Sequence, residues 1–128
     1  MKTILHLRFI IILICMVDAP LYAQRQAEVD SILNLLKKLP EDSSKVLAYD
    51  RLAYMYNFVQ YKTELARQYV DSALSLSEKL NYKSGILSSH YSYGMIDMNE
   101  ANYNEALEHF NQYIHYYTKA GDSTRVAK

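Results

Sequence analysis

Apolar positions along the chain follow two regimes. From Phe9 to Val17 they are continuous, nine residues without a polar interruption. Beyond residue 23 they recur every three or four residues, as on one face of a helix. Leu65, Tyr69, Ala73, Leu76 and Leu80 form one such stripe, and Phe110, Tyr113, Ile114 and Tyr117 another. No stretch alternates strictly as a half-buried strand would. The pattern predicts five helices, over 26–38, 43–58, 62–80, 84–99 and 103–120, and with them an all-α fold. Pro40 cannot continue the first helix, Ser43 or Ser44 can cap the second, and Asn102 with Glu105 resembles a capping box. Gly121 suits the left-handed position that closes a helix.

The continuous run has a different meaning. Lys2, His6 and Arg8 precede it, Asp18 and Pro20 end it, and Leu21-Tyr22-Ala23 offers a small-residue cleavage site. A membrane-spanning helix takes about 20 apolar residues, so nine are too few to cross. The expectation is a signal peptide over 1–23, cut after Ala23, and an exported, periplasmic chain over 24–128. The only cysteine, Cys15, lies within the signal, so the mature chain can form no disulfide.

The mature chain repeats itself at an offset of 40. Ala66, Val70 and Ala73 recur as Ala106, Phe110 and Tyr113, and Leu80 to Ser84 correspond to Ala120 to Thr124. Upstream the offset becomes 41, with Tyr49, Leu52 and Ala53 matching His90, Tyr93 and Gly94, which places one extra or missing residue in a loop. The repeats span 43–80 and 84–120, and 122–128 reads as the start of a further unit. Small residues at Ala53, Gly94, Ala66 and Ala106 let paired helices approach closely.

His90-x-x-Tyr93-Gly94-x-x-Asp97 followed by Ala106-x-x-x-Phe110, and Tyr49-x-x-Leu52-Ala53-x-x-Tyr56 followed by Ala66-x-x-x-Val70, resemble the tetratricopeptide repeat (TPR). The resemblance covers about residues 43–121. It implies an antiparallel helix-hairpin solenoid, a right-handed superhelix of the long-repeat branch, similar to exported input regions of bacterial sensor kinases and regulators. Asp97 departs from the pattern by standing where an aromatic is expected, and is placed near a helix end with solvent or a backbone partner.

Composition narrows the function. Lys plus Arg and Asp plus Glu each number 14, so there is no basic excess for nucleic acid. Three glycines, widely spaced, build no phosphate loop. His90, His109 and His115 lack ligand spacing, and Ser88 and Ser89 lack a nucleophile elbow; the expectation is no metal, no cofactor and no catalysis. His90 is read as a packing residue. The resemblance makes the exposed face of each first helix a concave binding face: Leu47, Asp50, Tyr54 and Asn57 in one repeat, Ser88, Tyr91, Met95 and Met98 in the next. Rigid tyrosines beside pliable methionines suit a protein or peptide partner. Asp50 with Tyr54 and Tyr91 with Met95 replace the Lys and Asn of the family's carboxylate clamp. The alternatives are a periplasmic glycan or small-ligand binder that stacks on Tyr54 and Tyr91, and a structural spacer. Self-association through the open last repeat is also expected.

Overall fold

The computed structural model describes the backbone of residues 20–126 and the side chains of 20–119, so the run Phe9–Val17 lies outside the described residues. The chain divides into two units between Asn34 and Leu35. The described part of the first belongs to helix α1, which covers 20–36 where 26–38 was expected. Gln26 donates to Asp30 one turn on, at 2.9 Å. The helix stops short of Pro40, whose ring disfavours helical backbone in the residue before it.

The second unit holds α2 (Ser43–Tyr54), prolonged by a π-helical turn (Met55–Val59), then α3 (Thr63–Lys79), α4 (Lys83–Asn99) and α5 (Tyr103–Val126). The described residues contain no strand, and the fold is all-α, built of helical hairpins. Ion pairs show the antiparallel course: Lys79 near the end of α3 meets Glu41 just before α2 at 2.5 Å, and Arg67 near the start of α3 meets Glu100 just after α4 at 2.8 Å. The cap of α2 is Asp42, whose carboxylate accepts from the Ser44 N–H at 2.8 Å, rather than Ser43 or Ser44 themselves. A charged acceptor answers the positive helix end better than a hydroxyl does.

Three left-handed residues set the pitch of the hairpins. Tyr61, Asn81 and Ala101, at φ 54°, 51° and 61°, stand 20 positions apart. After α3 the Tyr82 N–H bonds the Ser77 carbonyl (2.8 Å) and the Asn81 N–H bonds Glu78 (3.1 Å). After α4 Asn102 bonds Asp97 (2.8 Å) and Ala101 bonds Met98 (3.2 Å). Both are the paired bonds of a Schellman turn, which satisfy the last carbonyls. At the first turn the bond runs from Lys62 to Tyr56 (2.7 Å), one residue longer. The 40-to-41 slip is thus absorbed inside the helix as a π turn, with Gln60 bonded to Met55, and not in a loop as expected.

Two-sided packing decides which stripe is buried. Because α3 lies between α2 and α4, its deepest column is Ala66, Val70, Ala73, Leu76 and Ser77. Leu65 and Tyr69 are half-buried and Leu80 is exposed. Val46, Leu52, Ala53, Met55 and Tyr56 supply the core from α2 and its π turn, Ile96 from α4 and Ala106 from α5. A Cβ at Gly94 would stand 2.5 Å from Phe110, and one at Gly85 would stand 2.9 Å from Val46, so both glycines admit close neighbours.

On α5 the expected stripe divides. Phe110 and Tyr113 are half-buried against α4, whereas Ile114 and Tyr117 are more than half exposed, along with Tyr103 and Leu107. The helix also continues through Gly121 to Val126 instead of ending at 120. Glycine costs a helix about 1 kcal/mol and does not end it unaided. Asp97 too differs from expectation: it is 2% exposed and is paired through Arg67 at 2.7 Å, since a buried carboxylate needs a counter-charge.

Candidate functional site

Helices α2 and α4, separated in sequence by α3, run side by side in the same direction. Asn99 donates its amide to Asn57 at 3.1 Å, and further back Ser88 bonds Asp50. Between these two ties lies a groove of about 50 Å³ lined by Ala53, Tyr54, Asn57, Phe58, Tyr91, Ser92, Met95 and Ile96. Its floor is small or aliphatic and its rims are aromatic.

Four of the eight residues expected on the binding face, Tyr54, Asn57, Tyr91 and Met95, line this groove. Tyr54 and Tyr91 are half exposed, and Met95 is half-buried. Asn57 is only 2% exposed and is engaged with Asn99, so it closes the groove rather than offering itself. Asp50 and Ser88 are half-buried partners of one another. Leu47 and Met98 are exposed, beyond either end of the groove. The face therefore serves partly as the seam between successive hairpins.

The rims are braced from behind. Arg51 sits 5.6 Å over the Tyr54 ring, and Phe58 packs on it at 5.2 Å. Tyr91 leans on Phe110 and Tyr113 of α5, at 6.1 and 5.8 Å. Burial holds the Asp50 carboxyl up at about 6, against an ordinary 3.8, with the Ser88 bond pulling the other way; its Oδ1 is buried without a hydrogen-bond partner. Near pH 7 the groove thus has one reluctant anion at its end and aromatic walls along its length.

Phe58, Ser92 and Ile96 belong to the site but were not anticipated. Phe58 reaches it because the π turn rotates the end of α2, and the trace of that turn in the sequence is the one-residue slip in the repeat offset. A second, more open cleft of about 280 Å³ lies between α2 and α3, where Lys45, Tyr49, Ser72 and Ser75 surround the Lys79–Glu41 pair. Among the described residues no group of three or more His, Cys, Asp or Glu side chains is gathered for a metal ion, and no helix is long and apolar enough to cross a membrane. Comparison with protein-family models, with curated proteins and with solved structures finds no match to this chain.

Proposed function

We propose that this chain is a non-catalytic, TPR-like scaffold that binds a short segment of a partner protein in the groove between α2 and α4. The observation that carries the proposal is the groove itself, an apolar slot with half-exposed tyrosines on both rims and Met95 in its wall. Its volume suits the branched or thioether end of one peptide side chain, with the tyrosines giving rigid contact area around it. A sugar ring would need an open aromatic face. The Tyr54 ring already packs with Arg51 and Phe58, and the Tyr91 ring with Phe110 and Tyr113, which favours insertion of a side chain over glycan stacking. In this reading the hairpins continue the superhelical arrangement of the repeat, and the signal-like residues 1–23 place the scaffold outside the cytoplasm, as an input region for signalling. Intact mass of exported protein starting at Gln24 would support that location.

The test is to fill the slot from within. Ser92→Trp adds a bulky ring to the groove wall without touching the Asn57–Asn99 tie. Selection from a peptide display library should yield apolar-anchored peptides that bind the parent chain and lose on the order of ten-fold affinity or more with Ser92→Trp, at unchanged helicity. The Asn57–Asn99 and Asp50–Ser88 ties favour a second reading, in which the seam is structural and the chain a spacer. Peptides that bind both proteins equally, or no selected peptides at all, would leave the spacer reading in possession.

A further inference from the structure

On the opposite face of α4 from Ser88, four rings from two helices interleave into a column. Tyr116 of α5 stacks on His90 of α4 (5.6 Å, 18°), His90 meets His109 of α5 (5.9 Å, 34°), and His109 stacks on Tyr93 of α4 (4.7 Å, 17°). Three polar atoms in or beside it lack hydrogen-bond partners although buried: Nδ1 of His90, Nδ1 of His109 and Oδ2 of Asp97. His109 Nε2 lies 3.7 Å from that Asp97 oxygen. The charged surroundings come from three helices. From α3, Arg67 pairs with Asp97 and Glu100, Asp71 accepts from the Tyr93 hydroxyl, and Glu78 acts on both His90 and Tyr93. Asp97 belongs to α4 itself, and α5 adds His109. The Asp50 carboxyl of α2 is occupied with Ser88 on the far side.

We propose that this column is an acid-sensitive latch between α4 and α5, which cannot accommodate a proton on His90, so that acid releases α5. On one side of His90, His109 turns its Nε2 toward the unpartnered Asp97 oxygen and stacks on the face of Tyr93. A proton on His90 enters a ring whose Nδ1 is buried with no acceptor and which lies against the His109 ring. That arrangement leaves an unsatisfied donor and a buried charge in the stack, and separation of the two helices relieves both.

The sign of the pH effect follows from His90. Burial first, and His109 second, hold its proton affinity below that of an ordinary imidazole, with Glu78 opposing. A base weakened by folding contributes stability that is complete above about pH 6.5 and is lost as the pH falls below it. Asp50 works the other way, because acid relieves its buried charge, so the α2–α4 seam is not the part that loosens. The rim residue Tyr91 rests on Phe110 and Tyr113, and release of α5 would withdraw its support. That consequence for the groove depends on the binding role proposed above; the latch does not.

The experiment is hydrogen exchange on the full chain at pH 7.5 and 5.0, corrected for intrinsic exchange rates, with α5 and α3 peptides read separately. Protection of 103–119 should fall on the order of ten-fold in acid, while α3 stays protected. His90→Phe keeps a stacking ring that cannot charge and should reduce the fall to less than about two-fold. His109→Gln removes the lesser of the two causes and should reduce the fall in part, which guards against a His90 variant that folds poorly. His115→Gln, at an exposed position, should behave like the parent. Unchanged α5 protection in the parent, or an acid loss in His90→Phe and His109→Gln as large as the parent's, would overturn the latch.

Discussion

Asp50 sits in an environment that its chemistry disfavours. Its folded carboxyl, raised to about 6, holds a proton that an unfolded chain near 3.8 has already released. Its contribution to stability is therefore full below pH 4 and is lost as the pH rises through about 6. Asn at this position preserves a partner for Ser88 and removes the charge. Asp50→Asn should stabilise the protein at pH 8 by on the order of 2 kcal/mol, after allowance for partial exposure, and by almost nothing at pH 4. Urea melts at the two pH values measure the difference, and an equal gain at both would assign the effect to packing. The groove and core are separable on the same scale. Phe110→Ala removes the ring that fills the space at Gly94 and should cost about 3 kcal/mol, whereas Tyr91→Ala, at a half-exposed rim, should cost about 1 kcal/mol. Equal losses in denaturant melts would make Tyr91 a core residue. Small residues were legible in the sequence because close helix approach demands them, and Gly94 against Phe110 is where that demand shows. Asp97 was not legible as a buried ion, since its partner Arg67 lies 30 positions away and no local pattern links the two.

At the level of elements, helices and hairpins followed from periodicity, while their ends did not. Capping depends on single residues, and Asp42 prevailed over two serines that met the same rule. The π turn was visible only as an offset that would not stay constant, and a sequence offers no reason to put an extra residue in a helix before a loop. The left-handed turns carry a prediction of their own. Ala101, at φ 61°, has a Cβ in a region that suits glycine, so Ala101→Gly should stabilise by about 0.5–1 kcal/mol. Gly121 falls 20 positions further on, where the same turn would come next, yet α5 runs straight through it. Gly121→Ala should accordingly stabilise by about 0.5–1 kcal/mol through helix propensity. Thermal melts of the two variants should both shift upward. A loss of stability with Gly121→Ala would mean that the chain turns at 121 in solution, as the sequence spacing suggests.

For the whole molecule the decisive features are the balance of charge and the unequal covering of its helices. With 14 basic and 14 acidic residues the chain has no net charge to keep copies apart near neutral pH. Meanwhile α5 is covered on the side facing α4 and leaves Tyr103, Leu107, Ile114 and Tyr117 exposed at spacings of four, seven and three, which is a single helical stripe. The equivalent positions 40 residues earlier, on α3, are Thr63, Arg67, Leu74 and Ser77; three of them are polar, and the one apolar side chain, Leu74, is half-buried rather than exposed. An apolar stripe on a chain without net repulsion favours association. The expected outcome is an average mass by light scattering that rises with concentration at pH 7. The paired change Leu107→Lys and Ile114→Lys interrupts the stripe at its middle and adds two positive charges, both at positions more than half exposed and so at little cost to folding. That variant should remain a monomer over the same range with its helicity intact. A parent chain that is monomeric throughout would show that the stripe is too narrow to hold a second copy, and the net charge alone would then be no guide to its behaviour in solution.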